Sequence, residues 1–371
     1  MTLESPELTF NAIQYASNRT PLKIEKDSIA LTKVDGGYSV KPCEILIKVH
    51  SAALNPVDIV LYNSAHPLIS RIKGGALQGI GRDYSGTIVE IGDIAKSKYN
   101  FNVSDKVCGL YRHPFGKGTV SEYILLDPSV DPAITKLPKN ASFEEAASWP
   151  LVYGTASQMI ETAGINSEEV GATSRVLVIG GATSVGRYVI QLCKNVYNVK
   201  DVVAICSNSS SDMVKSLGAD STIDYKVHPN IFAPVSEYAA QNGKFDAVFD
   251  CCGNSDLFTN MSAILKSCSS HYVTIQGDSK GDYETVNMAN AVKKNLGLAP
   301  RMLKNSLGFL GYKYKLLMLE PGEWIHEGKK NIEDGNVKIQ IDSVHKLNDF
   351  SVAYERLKSN RASGKIVINL E

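Results

Sequence analysis

The sequence predicts an α/β protein in which a β-rich part precedes a doubly wound parallel sheet. Three observations carry this expectation. The run Val176-Leu-Val-Ile-Gly-Gly-Ala-Thr-Ser-Val-Gly186 joins four β-formers to a glycine turn, and apolar residues then recur at helical spacing. After residue 176, strand-like and helix-like segments alternate, as in a parallel sheet with crossover helices. Before residue 150 the chain instead holds short alternating segments punctuated by Pro, Gly, Asn and Asp. A length of 371 residues suffices for two cores.

In the first part, strands are expected at Glu44–His50, Thr87–Ile91, Lys106–Leu110 and Val120–Leu126. Ser142-Phe-Glu-Glu145 has the form of a capping box, so a helix should run through Ala147, interrupted by Pro150, and resume from Tyr153 to Ala163. The helix after the glycine turn should open at Gly186, with Tyr188, Val189, Leu192, Cys193 and Val196 on its apolar face. Strand Val202–Cys206, helix Asp212–Leu217 stopped by Gly218, and strand Ser221–Ile223 follow. A helix around Val235–Gln241, strand Phe245–Asp250, a helix near Leu257–Leu265 and strand Tyr272–Ile275 continue the alternation. Residues 281–311 read as a loop plus helix, and Tyr312–Leu319 as a strand. The tail holds a helix at Trp324–Asp334, the segment Lys338–Val344, a helix at Asp349–Ser359 and a strand at Lys365–Asn369.

Lys plus Arg and Asp plus Glu are 39 each, so a uniform phosphate-tracking surface is not expected and nucleic acid is not an expected partner. The seven cysteines show no CxxC spacing, which reads as a reducing compartment with mostly buried thiols. The start is acidic, without a signal core, and no apolar run approaches the roughly 18–20 residues of a membrane span. A cytoplasmic protein is the expectation.

The glycine turn has a specific use. A helix N-terminus presents unpaired N–H groups and the positive end of its dipole, and glycines let a pyrophosphate come close to the backbone. An ordinary buried strand–turn–helix would look the same, so the turn acquires weight only from what surrounds it. Eight local signals fall in order: Asn55-Pro-Val-Asp58, Gly81-Arg-Asp-Tyr-Ser-Gly86, Asp105-Lys-Val-Cys-Gly109, Ala147-Ser-Trp-Pro-Leu-Val-Tyr-Gly-Thr-Ala156, the glycine turn, Leu217-Gly-Ala-Asp220, Ile223-Asp-Tyr225 and Arg361-Ala-Ser-Gly-Lys-Ile-Val367. Together they resemble the zinc-independent quinone oxidoreductase branch of the medium-chain dehydrogenase/reductase superfamily, over nearly the whole chain. Gly81–Gly86 and Cys206-Ser-Asn-Ser209 are similar to the fungal YIM proteins and the mitochondrial reticulon-interacting oxidoreductases.

The resemblance implies a GroES-like β-rich catalytic domain, residues 1–150 completed by 335–371, closing on a Rossmann domain of residues 151–334. A cleft between them would take NADPH and substrate. Zinc enzymes of the superfamily carry a cysteine ligand near position 55 and a Gly-His-Glu motif. Here those positions read Asn55 and Gly81-Arg82-Asp83, and no converging Cys/His cluster is visible, so no metal is expected. The second strand of the sheet ends in Cys206-Ser207-Asn208-Ser209-Ser210, with no carboxylate before Asp212 to bind a ribose hydroxyl or repel a 2′-phosphate, which favours NADPH. A serine-rich strand end is also a common turn. The Ser207 hydroxyl and Asn208 amide could donate to a 2′-phosphate. By resemblance, Gly180, Gly181, Ala182, Thr183, Ser184, Val185 and Gly186 cradle the cofactor, Tyr225 packs beside its adenosine phosphate, Thr155 contacts its nicotinamide end, and Cys252 and Gly253 stand where relatives carry a cofactor-contacting Val-Gly. Related enzymes carry Gly-Gly-Val-Gly where this chain has Thr183-Ser184-Val185-Gly186. The two hydroxyls could donate to phosphate, but a positive φ at either residue would cost on the order of 1 kcal/mol.

Hydride transfer asks for a held nicotinamide, a polarising donor and exclusion of water. Asn55 is the leading candidate to orient the acceptor or the nicotinamide ribose, against a turn fixed by Pro56 in which Asn55 and Asp58 bond local backbone. His66 stands where related enzymes have a tyrosine before proline, and an imidazole can donate a proton near neutral pH. Tyr62 is a second donor candidate; for both, a surface role competes. The expected acceptor is a quinone or another conjugated carbonyl, with residues 60–80 and 281–311 shaping its pocket. Rival readings are an enoyl-thioester reductase, a nucleotide-sensing scaffold whose site has drifted, and RNA binding. Resemblance adds a homodimer, and peripheral association with lipid droplets or mitochondria.

Overall fold

The computed structural model describes residues 7–34, 37–72, 76–113 and 116–371. A six-stranded parallel sheet is built from Arg175–Ile179, Asp201–Cys206, Ser221–Asp224, Ala247–Asp250, His271–Thr274 and Lys313–Leu316. In space they lie third, second, first, fourth, fifth, sixth, every neighbouring pair parallel. This is the Rossmann order, whose reversal between the first and fourth strands opens a crevice at their carboxyl ends. Helices cover both faces, so Val176–Ile179 and Val202–Cys206 are apolar and buried at every position rather than alternating.

A second, mostly antiparallel sheet runs Ile134–Lys136, Lys106–Leu110, Asp83–Ile91, Ile45–Leu54, Lys365–Asn369, Ile341–Lys346, with Tyr123–Leu126 also paired to Ile45–Leu54. Ile366 faces Leu54 and Asn369 faces Ser51, so the last strand of the chain lies inside the sheet begun by residue 45. A smaller sheet pairs Glu7–Tyr15 with Lys23–Ala30 and Gln78–Gly79.

The two large sheets share a core. One buried cluster runs from Cys108, Leu110 and Ala133 through Trp149 and Tyr153 to Val176 and Val178. Helix Pro150–Thr162 packs on Ser184–Gln191 on one side and on strand Lys106–Leu110 on the other, and so bridges the seam.

Several expectations are corrected. The helix through Ala147 does stop before Pro150, but the resumed helix starts at Pro150 itself, in its first turn, where a missing N–H leaves no bond unmade, so it is Pro150–Thr162 rather than Tyr153–Ala163. The helix after the glycine turn opens two residues early, at Ser184, capped by Thr183, and passes into a π-turn at Leu192–Val196. The helix expected near 257–265 is split into a 3₁₀ turn Asp256–Thr259 and a short helix Met261–Ile264, because Asn260 leaves the helical region at φ −155° and ψ 82°. Residues 281–311 hold two helices, Met288–Lys294 and Leu298–Ser306. Asn55-Pro-Val-Asp58 begins a helix, Pro56–Ser64, followed by Pro67–Ile72; residues 73–75 of the expected pocket segment fall outside the described residues.

Candidate cofactor and active site

The glycine turn follows the first parallel strand, and each glycine there has a geometric reason. Gly180 has φ +78°, left-handed backbone that favours glycine. A Cβ on Gly181 would stand 2.8 Å from the Ala204 Cβ, and one on Gly186 only 2.3 Å from the Gly180 carbonyl oxygen. The helix therefore packs against the strand at a distance that a side chain would prevent.

Thr183 has φ −70°, and its neighbour Ser184 begins the helix, so neither residue carries the strain that a positive φ would impose. Thr183 acts as the N-cap: its Oγ1 accepts from Gly186 N–H at 3.1 Å and donates to the Gly180 carbonyl at 2.7 Å. Its proton is thus committed within the turn, contrary to the expectation that it serves a phosphate. Ser184 Oγ reaches the Gly364 carbonyl at 3.4 Å. The N–H groups of Ala182, Ser184 and Val185 have no acceptor among the described residues, and all three lie at this helix start.

At the end of the second strand, Ser207 Oγ bonds Ser209 Oγ at 3.0 Å and Ser210 Oγ at 3.2 Å, while Asn208 is exposed. The parallel register sets Asp224 beside Cys206, a carboxylate that reading the second strand alone does not find. Asp224 Oδ1 accepts from Lys226 N–H at 2.8 Å. Tyr225 donates its N–H to the Cys206 carbonyl at 3.3 Å and leaves its side chain half exposed.

The fourth strand ends at Asp250, a residue the sequence does not flag. It is fully buried, and its carboxylate accepts from the N–H groups of Cys252, Gly253 and Asn254 and the hydroxyls of Tyr272 and Thr274, at 2.8–3.2 Å. Burial raises its pKa to about 6 despite those donors. The bonds fix the loop of Cys252 and Gly253, in which Gly253 has φ +84°. Cys252 also packs on the turn, since a Cβ on Gly180 would stand 3.1 Å from its own. Burial drives both the Cys251 and Cys252 thiols upward, so neither is a ready thiolate.

Across the seam, Asn55, Asp58, Asp83 and Lys365 are each at most 4% exposed. Asn55 caps Pro56–Ser64, and its N–H donates to Asp58 Oδ2 at 2.8 Å. Its amide does not serve local backbone alone: Nδ2 donates to Asp83 Oδ2 at 2.9 Å, and Oδ1 accepts from Lys365 Nζ. Lys365 also pairs with Asp83 Oδ2 at 2.8 Å, and Asp83 Oδ1 accepts from Leu151 N–H at 2.8 Å, in the first turn of Pro150–Thr162. Asp58 takes Gly81 N–H at 3.1 Å and has Arg82 Nε at 3.9 Å. Burial raises the Asp58 carboxyl, with the Arg82 guanidinium opposing.

The remaining candidates are spread around this cluster. Tyr62 donates its hydroxyl to the Thr20 carbonyl at 2.8 Å, and burial raises its pKa. His66 is exposed, and its Nδ1 accepts from Leu68 N–H at 3.2 Å. Thr155 is buried and donates back to the Leu151 carbonyl at 2.7 Å. Asp83 and Lys365 stand in motifs visible in the sequence, yet 282 residues apart, and only the sheet pairing makes them partners. Zinc does not fit here: Asn55 is engaged by Asp83 and Lys365, Arg82 donates to the His113 carbonyl, and no group of three or more His, Cys, Asp or Glu able to hold a metal occurs among the described residues.

Residues 41–139 match the family described as Alcohol dehydrogenase GroES-like domain, and residues 217–368 the one described as Zinc-binding dehydrogenase. The protein YIM1-2 of Lachancea thermotolerans is 38% identical over 354 residues, covering 92% of this chain and 94% of its own. This chain belongs to the YIM1 proteins of the medium-chain dehydrogenase/reductase superfamily. The fold of this YIM1 family member matches the quinone oxidoreductase from Coxiella burnetii with a TM-score of 0.73 at 23% identity, over 98% of this chain and all of the other. It also matches mycobacterial Rv1454c complexed with NADPH, with a TM-score of 0.67 at 17% identity, over 97% of this chain and all of the other. It is an oxidoreductase fold: a GroES-like part joined to a Rossmann sheet.

Proposed function

We propose that this protein is an NADPH-dependent, zinc-independent oxidoreductase that passes hydride to quinones or other conjugated carbonyls. The observation that carries the reading is the helix start at Ser184, where three unpartnered N–H groups meet a glycine turn at the sheet's topological switch. A neighbour of like fold complexed with NADPH supports a nicotinamide cofactor, and the serine-rich end of the second strand supports NADPH over NADH.

In this reading Gly180 and Gly181 open the approach to the pyrophosphate, and Ala182, Ser184 and Val185 donate to it. Gly186 keeps the helix close to the strand, and Thr183 holds the cap. Ser207 and Asn208 serve the 2′-phosphate, Tyr225 borders the adenosine, and Thr155, Cys252 and Gly253 bound the nicotinamide end. Bound nicotinamide supplies the hydride. Asn55 orients the reacting groups from a position fixed by Asp83 and Lys365. His66 keeps Nε2 for a proton, whereas the proton of Tyr62 is spent on Thr20. Residues 1–150 with 335–371 form the catalytic domain and 151–334 the cofactor domain. Lys313–Leu316 is the edge strand of the parallel sheet, and a homodimer belongs to the same reading. Among the described residues no helix is long and apolar enough to cross a membrane, and a cytoplasmic place with peripheral lipid-droplet or mitochondrial contact completes the reading. Exposed Leu303, Leu307 and Phe309 beside Lys304 support such contact.

Titration of the purified protein with NADPH and NADH tests the reading. Saturable binding with NADPH preferred is expected, and Asn208→Asp, on an exposed residue, should weaken NADPH about tenfold while leaving NADH nearly unchanged. No binding at millimolar NADPH overturns it. A nucleotide-sensing protein without turnover is the second reading. It is favoured by the internal engagement of Asn55, Tyr62 and Thr155, and NADPH binding without oxidation by any quinone or enone would establish it.

A further inference from the structure

Arg187 lies one residue beyond the glycine turn and has no part in the site as read so far. It is 4% exposed, and no carboxylate contacts it directly. Burial lowers its pKa, with Asp342 opposing from a distance. A buried cation without a contacting anion is costly, so its bonding pattern calls for a reason. Nε donates to the Ala182 carbonyl at 2.9 Å, inside the turn. Nη1 donates to the Ser363 carbonyl at 2.9 Å and to Gln340 Oε1, and Nη2 to Ser363 Oγ at 2.8 Å. The planar fork thus holds the turn with one edge and residue 363 with the other.

The segment it grips has little slack. A Cβ on Gly364 would stand 2.7 Å from the Gln340 carbonyl oxygen and 2.9 Å from Asp342 N. Ser363 N–H donates to Asp342 Oδ1 at 2.6 Å, and Asp342 is paired with Arg356 at 2.7 Å. Gly364 accepts from Ser184 of the turn, and the next residue is Lys365, whose Nζ fixes Asn55 and Asp83.

We infer that Arg187 is a positioning residue that couples occupancy of the glycine turn to the buried Asn55–Asp83–Lys365 cluster through Ser363-Gly364-Lys365. The inference rests on the proposed cofactor site. A phosphate drawn to the N–H of Ala182 immobilises the residue whose carbonyl orients Arg187, and the guanidinium passes that order to residue 363. Lys365 and Asn55 are then held where the acceptor is met. A plain staple would hold the same parts together but would not respond to cofactor.

The test is amide hydrogen exchange on the full chain, with and without NADPH, for wild type and Arg187→Lys, which keeps the charge and loses the fork. NADPH should slow exchange of peptides covering 361–367 and 53–58 about tenfold or more in wild type. In Arg187→Lys the slowing should fall below about twofold, with NADPH affinity about tenfold weaker. If that variant does not melt cooperatively, Ser363→Ala removes the Nη2 contact while leaving the carbonyl of residue 363 in place, and should reduce the NADPH-dependent slowing in the same direction. Equal protection in variant and wild type overturns the inference, as does wild type that binds NADPH without protecting these peptides. Wild type that binds no NADPH overturns the proposed function, and the coupling with it.

Discussion

Lys365 and Asp83 form an ion pair at 2.8 Å with side chains 4% and 0% exposed, and Asn55 bridges both. Removing one partner leaves the other charge buried and alone, so Lys365→Met should lower the unfolding free energy by about 3–5 kcal/mol. Adding Asp83→Asn should cost less than the sum of the two, and urea titrations of the cycle would measure the shortfall. Asp250 gives a pH signature. Its carboxyl has an ordinary value near 3.8 and is raised to about 6 in the fold, so between those values the folded chain holds more protons than the unfolded one. Its contribution to stability is full below about pH 4 and is lost as pH rises through 6; thermal unfolding of wild type against Asp250→Asn across that window would show it. Asp342 runs the other way: Arg356 holds it near 2, so its contribution is present above about pH 4 and lost as pH falls through 2. At this scale the sequence is a partial guide. Motifs locate Asn55, the glycines and Thr183, because the turns and caps they make are local, although the bonds of the Asn55 amide to Asp83 and Lys365 are not. Asp83, Arg187 and Lys365 are invisible as partners, since their meaning arises only where distant segments touch.

Among elements, the strand, turn and helix at 175–191 were legible because the periodicity changes there from continuous apolar to helical, with glycines at the join. The close packing that the glycines permit can be tested directly. Gly186→Ala should destabilise by about 1–3 kcal/mol, since its Cβ would stand 2.3 Å from a backbone oxygen that cannot turn aside. A denaturant midpoint shift with unchanged slope would report it. The pairing of Glu7–Tyr15 with Lys23–Ala30 was not legible: the second strand, Lys-Ile-Glu-Lys-Asp-Ser-Ile-Ala, is too polar to show clean alternation. The helix Pro56–Ser64 was hidden behind a motif that looks like a turn, because an Asn-Pro start signals either.

For the whole molecule, a two-part α/β architecture followed from composition and alternation, but the seam did not. The core that joins Cys108 and Leu110 to Val176 and Val178 passes through Trp149 and Tyr153, and no local pattern announces which helix faces two sheets at once. The strand Lys365–Asn369 lies between Ile45–Leu54 and Ile341–Lys346, and Lys365 meets a partner 310 residues earlier. During synthesis, the parallel sheet has all six strands once residue 316 has emerged, whereas the earlier sheet still lacks an interior strand. The sheet begun earlier is therefore completed later. Until residues 365–369 arrive, a nascent chain carries an open edge at Ile45–Leu54 and an acid at position 83 whose cation does not yet exist.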